Sequence, residues 1–136
     1  MIDIKFRGKR TDNGKWITDS KTFIYDGDGV WLSDKDLYVE KVIEETVGQF
    51  TGIEDKNGVE IYEGDILKTV NYKGDEEVGS VIFISGTFLL QISIENGIPC
   101  GYPISEMERF TRPIELKIEV IGNIYDNSEL LTIKSE

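Results

Sequence analysis

Short stretches in which apolar residues alternate with charged or polar ones recur along the chain. The first lies at the N-terminus and contains three apolar and three charged residues in turn: Ile2, Asp3, Ile4, Lys5, Phe6 and Arg7. A period of two is typical of a β-strand with one buried face. This stretch therefore predicts a strand with Ile2, Ile4 and Phe6 in the core.

Turn sequences separate the predicted strands at short intervals. Asn13-Gly14 favours a tight hairpin turn, because both residues tolerate a positive φ. Asp26-Gly27-Asp28-Gly29 and Ser85-Gly86 predict two further hairpins, each between apolar runs. The strands after the first are predicted over the segments 15–18, 21–25, 30–32, 47–51, 59–62, 65–70, 78–84, 87–94 and 115–125.

Helices are predicted only at Ser105–Phe110 and Asn127–Leu131, each of which begins with a capping residue. The predicted class is therefore mainly β, a β-rich α+β chain. Strands at this spacing favour a small closed barrel from about residue 64 to residue 126. We predict an N-terminal lobe of β-hairpins over residues 1–46, packed on a C-terminal barrel unit over residues 47–136 with one or two short helical turns. We expect the two parts to unfold as one cooperative unit.

The composition excludes several kinds of chemistry. The 136 residues contain no histidine and a single cysteine, Cys100. Without histidine there can be no Ser-His-Asp or Cys-His nucleophile system and no His-containing metal site. One cysteine cannot form an intramolecular disulfide or a thiolate metal cage. Cys100 is interpreted as a small, half-buried residue in a loop.

Acidic residues raise two further hypotheses for a site, and neither has the spacing it needs. Asp26 and Asp28 resemble the start of a calcium loop, but Trp31 and Leu37 stand where an EF-hand loop needs glycine and glutamate. Paired carboxylates can hydrolyse glycosides, but no pair among the 26 acidic residues is marked out by its neighbours. The sequence therefore predicts no catalytic residue, no cofactor and no metal site.

Membrane and export segments are also not predicted. No apolar run approaches the ~18 residues that a membrane span requires. The N-terminus alternates charged and apolar residues and lacks the apolar region of a secretory signal. We therefore expect a cytoplasmic protein.

Charge is distributed unevenly along the chain. The formal net charge is −11, yet residues 1–21 hold six basic and three acidic residues, whereas residues 22–136 hold nine basic and 23 acidic ones. Alternating charge on strand surfaces is one explanation. A functional explanation is that the basic N-terminal strand docks on an acidic surface of a second copy or of a partner protein. The candidate interaction surface comprises Lys5, Arg7, Lys9, Arg10, Lys15, Trp16 and Trp31.

One segment resembles a known family. Residues 46–68, TVGQFTGIEDKNGVEIYEGDILK, are similar to the signature segment of the YopX family. The opening IKFRGKR of residues 4–10, followed by Trp16, and the closing residues 118–131 are similar to that family as well. The resemblance implies a prophage- or bacteriophage-encoded protein with a β-rich fold that includes an SH3-like barrel. It implies no established activity and no catalytic residue to transfer.

Much of the signature segment has a structural interpretation. Its glycines lie where extended segments must turn or pass closely, and Asp55 can bond the backbone of its own turn. Phe50 and Tyr62 are interpreted as core residues. The segment therefore predicts structure more than it predicts a binding site.

Three hypotheses of function are open. The leading one is a non-enzymatic phage accessory protein that acts through protein–protein contacts and assembles as a homo-oligomer. The alternative is a nucleic-acid-related role, by direct binding through the basic strand or by imitation of DNA with the acidic surface. The acidic net charge disfavours direct binding. The third is an enzyme that uses carboxylates with a divalent ion, for which the sequence marks out no residues.

Overall fold

A computed structural model of the protein describes residues 3–111 and 118–132, and of residues 108–111 and 132 it describes the backbone. The chain divides into two compact units, Met1–Gly52 and Ile53–Glu136. The predicted boundary lies slightly earlier, between residues 46 and 47. The described residues form twelve strands and two short α-helices, so the predicted mainly β class is confirmed.

The first unit contains two antiparallel sheets. Its strands are β1 (Phe6–Lys9), β2 (Trp16–Ser20), β3 (Phe23–Tyr25), β4 (Val30–Ser33), β5 (Val39–Val42) and the start of β6 (Gly48–Glu54), which follows a 3-10 turn at Glu44–Thr46. β1 pairs with β2 on one side and with the start of β6 on the other. β4 lies between β3 and β5. The hairpins predicted at Asn13-Gly14 and at residues 26–29 are both present.

The core of the first unit lies between one face of each sheet. Its buried members are Ile17, Val30, Leu32 and Val42, with Phe6 and Val47 packed against them. Gly8 allows the two sheets to approach closely, because a Cβ at that position would lie 3.3 Å from Leu32 Cδ1 and from Val42 Cβ. The first unit is thus a small two-sheet structure with its own apolar centre.

The N-terminal strand differs from its prediction. Phe6 packs against the core as expected, but β1 begins only at Phe6, so Ile4 precedes the strand and is 64% exposed. Ile2 lies outside the described residues. On the opposite face, Arg7 is only 9% exposed, and Lys5, which immediately precedes the strand, is also 9% exposed. The period of two therefore identified the two faces of the strand, but both faces are covered.

The second unit is built on a five-stranded antiparallel sheet with the order β11-β10-β9-β8-β12. In chain order its elements after the end of β6 are β7 (Glu60–Tyr62), β8 (Asp65–Val70), β9 (Glu76–Ile84), β10 (Thr87–Glu95), β11 (Ile98–Pro103), α1 (Ile104–Thr111), β12 (Glu119–Asn123) and α2 (Glu129–Thr132). The sheet curls into a half-barrel within the range predicted for the barrel. Among the described residues no ladder closes it between β11 and β12. The core cluster comprises Ile61, Leu67, Val81, Leu90, Ile104, Met107 and Ile118.

Strand β11 was predicted as a loop, and that prediction is wrong. Pro99 and Pro103 interrupt the apolar pattern, yet the strand is at an edge of its sheet, where a residue without an N–H does not break a ladder. Gly101 is required there, because a Cβ would overlap the Leu90 carbonyl oxygen. Cys100 is half-buried as predicted, but in this strand. β5 was not predicted either.

Both predicted helical segments are present, as α1 and α2. Ile104 and Met107 of α1 belong to the core. The predicted final strand is present as β12, and residues 115–117 of that prediction lie outside the described residues. Neither helix in 3–111 and 118–132 has the length and apolar composition needed to cross a bilayer.

Candidate interaction surface

The basic residues of the N-terminal strand lie beside aromatic rings. Lys5, Arg7 and Lys9 alternate and therefore share one face. Lys5 Nζ lies 4.7 Å from the centroid of the Phe50 ring, whereas Arg7 Cζ and Lys9 Nζ lie 4.9 Å and 5.5 Å from that of Trp16. These distances fall within the roughly 6 Å of a cation–π interaction. We call these five residues the cation–aromatic row.

Carboxylates of the same unit form ion pairs with two of the basic side chains, Lys5 and Arg10. Lys5 Nζ lies 3.0 Å from Asp19 Oδ1. Arg10 donates to both carboxylate oxygens of Asp12, at 3.0 Å and 2.7 Å. Its Nη2 atom also lies 3.3 Å from Glu40 Oε2. The hydrogen bonding of the Arg10 guanidinium to the Asp12 carboxylate lowers the pKa of Asp12 and raises the pKa of Arg10. Much of the local positive charge is thus compensated within the first unit.

The predicted surface residues differ in accessibility. Lys5 and Arg7 are buried, Lys15 is exposed, and the remaining four are half-buried: Lys9, Arg10, Trp16 and Trp31. The structure brings Lys5, Arg7, Lys9 and Trp16 together in the cation–aromatic row. Trp31 lies apart from the row, in β4 of the other sheet, where Lys41 Nζ is 6.0 Å from its ring centroid.

The strand predicted over residues 21–25 is present as β3, but the exposure of its apolar side chains was not predicted. β3 consists of Phe23, Ile24 and Tyr25, which are 46%, 42% and 63% exposed. It is an edge strand, because the sheet order is β3-β4-β5. Leu37, Tyr38 and Val39 are also exposed. A strand of three consecutive apolar residues was visible in the sequence, but its edge position was not. We call Phe23, Ile24 and Tyr25 the β3 edge.

The turn after β3 is held by its own carboxylate. Asp26 accepts the N–H of Asp28 at 3.0 Å through Oδ1 and donates its own N–H to the Gly29 carbonyl at 3.3 Å. The N–H of Asp28 is the main cause of the lowered pKa of Asp26. Gly27 has φ of 90°, which favours glycine. The turn fits the interpretation of an acidic hairpin.

Within the second unit, Asp55 of the signature segment accepts three backbone N–H groups, and we call Asp55 and these three bonds the clip. Asp55 is 6% exposed. Its Oδ1 accepts the N–H groups of Asn57 and Val59 at 2.8 Å and 2.9 Å, and its Oδ2 accepts the N–H of Val120 at 2.9 Å. The predicted bonds to its own turn are present, and the bond to β12 adds a long-range connection. Asp65, 1% exposed, accepts the N–H of Tyr62 at 2.8 Å.

The side chains relevant to metal or nucleophile chemistry are the acidic residues and Cys100. Within residues 3–111 and 118–132, no group of three or more His, Cys, Asp or Glu residues could hold a metal ion. The Cys100 thiol donates to Glu95 at 3.2 Å, and this bond raises the pKa of the thiol. A raised pKa lowers the thiolate fraction on which cysteine reactivity depends.

Comparisons with known proteins agree over nearly the whole chain. A family model described as YopX protein matches residues 5–132. The crystal structure of protein EF1440 from Enterococcus faecalis is similar with a TM-score of 0.58 and 24% identity, over 96% of this chain and 99% of that one. At this identity the similarity shows the fold alone. The comparison with curated proteins finds no match.

Proposed function

This chain belongs to the YopX family, and we propose that it is a phage- or prophage-encoded accessory protein that binds another protein chain and is not an enzyme. The site of its action is the cytoplasm of the bacterial host. The absence of histidine from the sequence supports a role without general acid–base or nucleophilic chemistry of the common kinds.

The observation that carries this proposal is the exposed β3 edge. All three of its residues are large and apolar, and each is more than two-fifths exposed. Exposed edge strands offer unpaired N–H and C=O groups to another chain, and adding a strand to such an edge is a common mode of protein recognition. The partner is a second copy or a host or phage protein.

Direct nucleic-acid binding through the basic strand has weaker support. Lys5 and Arg7 are buried and lie over aromatic rings of their own unit, so they are poorly available to phosphates. A gel-shift experiment with duplex and single-stranded DNA at low salt tests the alternative, and we expect no complex. A complex that weakens steeply with salt would favour the alternative instead.

The proposed function is tested by affinity capture from bacteria that express two differently tagged copies of the chain. The test variant is Tyr25→Pro, which removes an N–H at the edge. The control is Tyr72→Pro, because Tyr72 is 93% exposed and lies in the turn between Asn71 and Gly74, a position that proline suits.

We expect the wild type and Tyr72→Pro to retain a protein partner, either the second tagged copy or another chain. We expect Tyr25→Pro to lose at least nine-tenths of that partner, a tenfold effect that corresponds to about 1.4 kcal/mol. Equal retention by all three proteins would contradict the proposal. Circular dichroism verifies that each variant is folded.

A further inference from the structure

We propose that the β3 edge pairs with the β3 edge of a second copy of this chain, in an antiparallel ladder with its twofold axis at Ile24. This inference rests on the proposed function, because it names the partner of the same edge. It rests on three observations: the alternation of bonded and non-bonded residues along β3, its exposed side chains and the charges at its two ends.

The pairing of β3 with β4 determines which backbone groups of β3 are available to a further strand. Asp26 donates its N–H to the Gly29 carbonyl, and Ile24 lies opposite Trp31 in the same register. Bonded pairs alternate with non-bonded pairs along an antiparallel ladder, so Ile24 bonds to β4. The N–H and C=O groups of Phe23 and Tyr25 therefore point away from β4. In the sheet order of the described residues, β3 has no neighbour on that side.

A twofold axis at Ile24 satisfies all of these outward groups. It sets Phe23 opposite the partner's Tyr25, and Tyr25 opposite the partner's Phe23. Each pair exchanges two hydrogen bonds, as bonded pairs of an antiparallel ladder do. Ile24 then faces the partner's Ile24 in a non-bonded pair, where the side chains of two strands come closest.

The side chains are complementary in the same register. Phe23 and Tyr25, which are 46% and 63% exposed, form two aromatic cross-strand pairs, a combination that stabilises antiparallel strands. Phe23 also contacts the Phe6 ring, with the centroids 5.0 Å apart. The aromatic contacts of the first unit would therefore continue into the second copy.

The charges at the ends of the strand are complementary as well. Lys21 precedes β3, and Asp26 and Asp28 follow it. In an antiparallel pair, the end of one strand that is preceded by Lys21 lies beside the end of the other strand that is followed by the partner's Asp26 and the partner's Asp28. Each end of the pair thus places positive charge of one copy near negative charge of the other. A second copy supplies this arrangement at both ends at once, which favours it over an unrelated strand.

The twofold axis gives the proposal a specific test, because residue 24 must face its own copy. Ile24→Lys sets two lysines against each other, and Ile24→Asp sets two aspartates against each other. Mixing the two variants sets lysine against aspartate. Sedimentation is measured over a wide range of protein concentration for the wild type, each variant and the equimolar mixture. Tyr72→Lys and Tyr72→Asp are the matched controls.

We expect the wild type and both Tyr72 variants to form dimers as concentration rises. Each Ile24 variant alone should dimerise at least tenfold more weakly, and the mixture should regain most of the dimer. Circular dichroism verifies that the Ile24 variants are folded. Recovery in the mixture also requires folded chains.

A wild type that remains monomeric at every concentration would overturn the inference. A mixture that associates no better than its components would also overturn it. The capture experiment keeps this failure separate from that of the proposed function. If Tyr25→Pro abolishes capture of a different protein while the chain stays monomeric, the edge binds that protein, and only the second-copy inference falls.

Discussion

The two units differ in the composition of the edge strands of their sheets. β11, at one edge of the second unit's sheet, has proline at two of its six positions, Pro99 and Pro103. Proline has no N–H to donate, and its presence on an edge strand hinders pairing with another chain. β3, at an edge in the first unit, has no proline and three exposed apolar residues. This difference supports our proposal that the chain associates through its first unit.

The units also differ in how they bury charge. The first unit buries the cations Lys5 and Arg7 next to aromatic side chains. The second buries the carboxylates Asp55 and Asp65, which accept backbone N–H groups. A backbone donor left buried without an acceptor is costly, whereas a cation beside a ring can be replaced by an apolar side chain of similar size. The buried carboxylates should therefore matter more for stability.

The largest expected effect is in the second unit. Asp55→Ala removes the acceptor of three backbone N–H groups, so we expect the free energy of unfolding to fall by about 3–5 kcal/mol. Urea denaturation measures this change. The control is Asp75→Ala at an exposed position, for which we expect a change of about 0.5 kcal/mol or less. If the two variants lowered the free energy of unfolding equally, the proposed structural role of the clip would be contradicted.

The next largest change in the free energy of unfolding is expected for alanine substitution of a glycine, and it should differ between the two units. A Cβ on Gly101 would overlap the Leu90 carbonyl oxygen, which is backbone and cannot move independently, whereas a Cβ on Gly8 would meet the side chains of Leu32 and Val42 at 3.3 Å. We expect Gly101→Ala to reduce the free energy of unfolding by about 2–3 kcal/mol, and Gly8→Ala by about 1 kcal/mol. The reverse order in urea denaturation would show that the backbone of the second unit adapts more readily than the core of the first.

A substitution in the cation–aromatic row should lower the free energy of unfolding less than a substitution in the clip. Lys5→Met keeps most of the contact with Phe50 and removes the charge, and its ionic partner Asp19 is exposed. We expect a change of about 1 kcal/mol in the free energy of unfolding. A loss as large as that for Asp55→Ala would mean that the two units depend equally on buried charge. Thermal and urea denaturation of both variants under the same conditions decide this.

The smallest effect concerns one tyrosine of the second unit. Tyr102 donates its hydroxyl to Glu77 at 2.6 Å, and this bond raises the pKa of Tyr102 to about 12 from its ordinary value of 10. A raised pKa in the folded chain stabilises it below pH 10, and that contribution is lost as the pH rises from 10 to 12. Ultraviolet absorbance at high pH follows the titration of Tyr102, and Glu77→Gln should lower the pKa of this tyrosine by removing the charged acceptor. An unchanged titration in Glu77→Gln would assign the raised pKa to another cause.

Local chemistry explains which parts of the fold could be predicted. β8 has the predicted bounds, residues 65–70, because a turn precedes and follows an apolar stretch. Asp55 bonds its own turn as predicted, since that bond depends on neighbours in sequence. Its bond to Val120 could not be predicted, because it depends on how distant strands pair.

The candidate site was harder to predict for the same reason. The burial of Lys5 depends on the Phe50 ring, which a different strand provides. The sequence shows that Phe23, Ile24 and Tyr25 are apolar, but an edge strand and a central strand can have the same sequence. Edge position is a property of the sheet order, so the exposure of these residues became visible only in the structure.

The central claim is that the first unit associates through the β3 edge while the edge at β11 stays unpaired. Amide hydrogen exchange resolved by residue, at low and at high protein concentration, tests it most directly. We predict that the Ile24 amide, which bonds to β4, is protected at both concentrations, and that the amides of Phe23 and Tyr25 become protected only at the higher one. Protection that appears in β11, with Phe23 and Tyr25 unchanged, would contradict the claim.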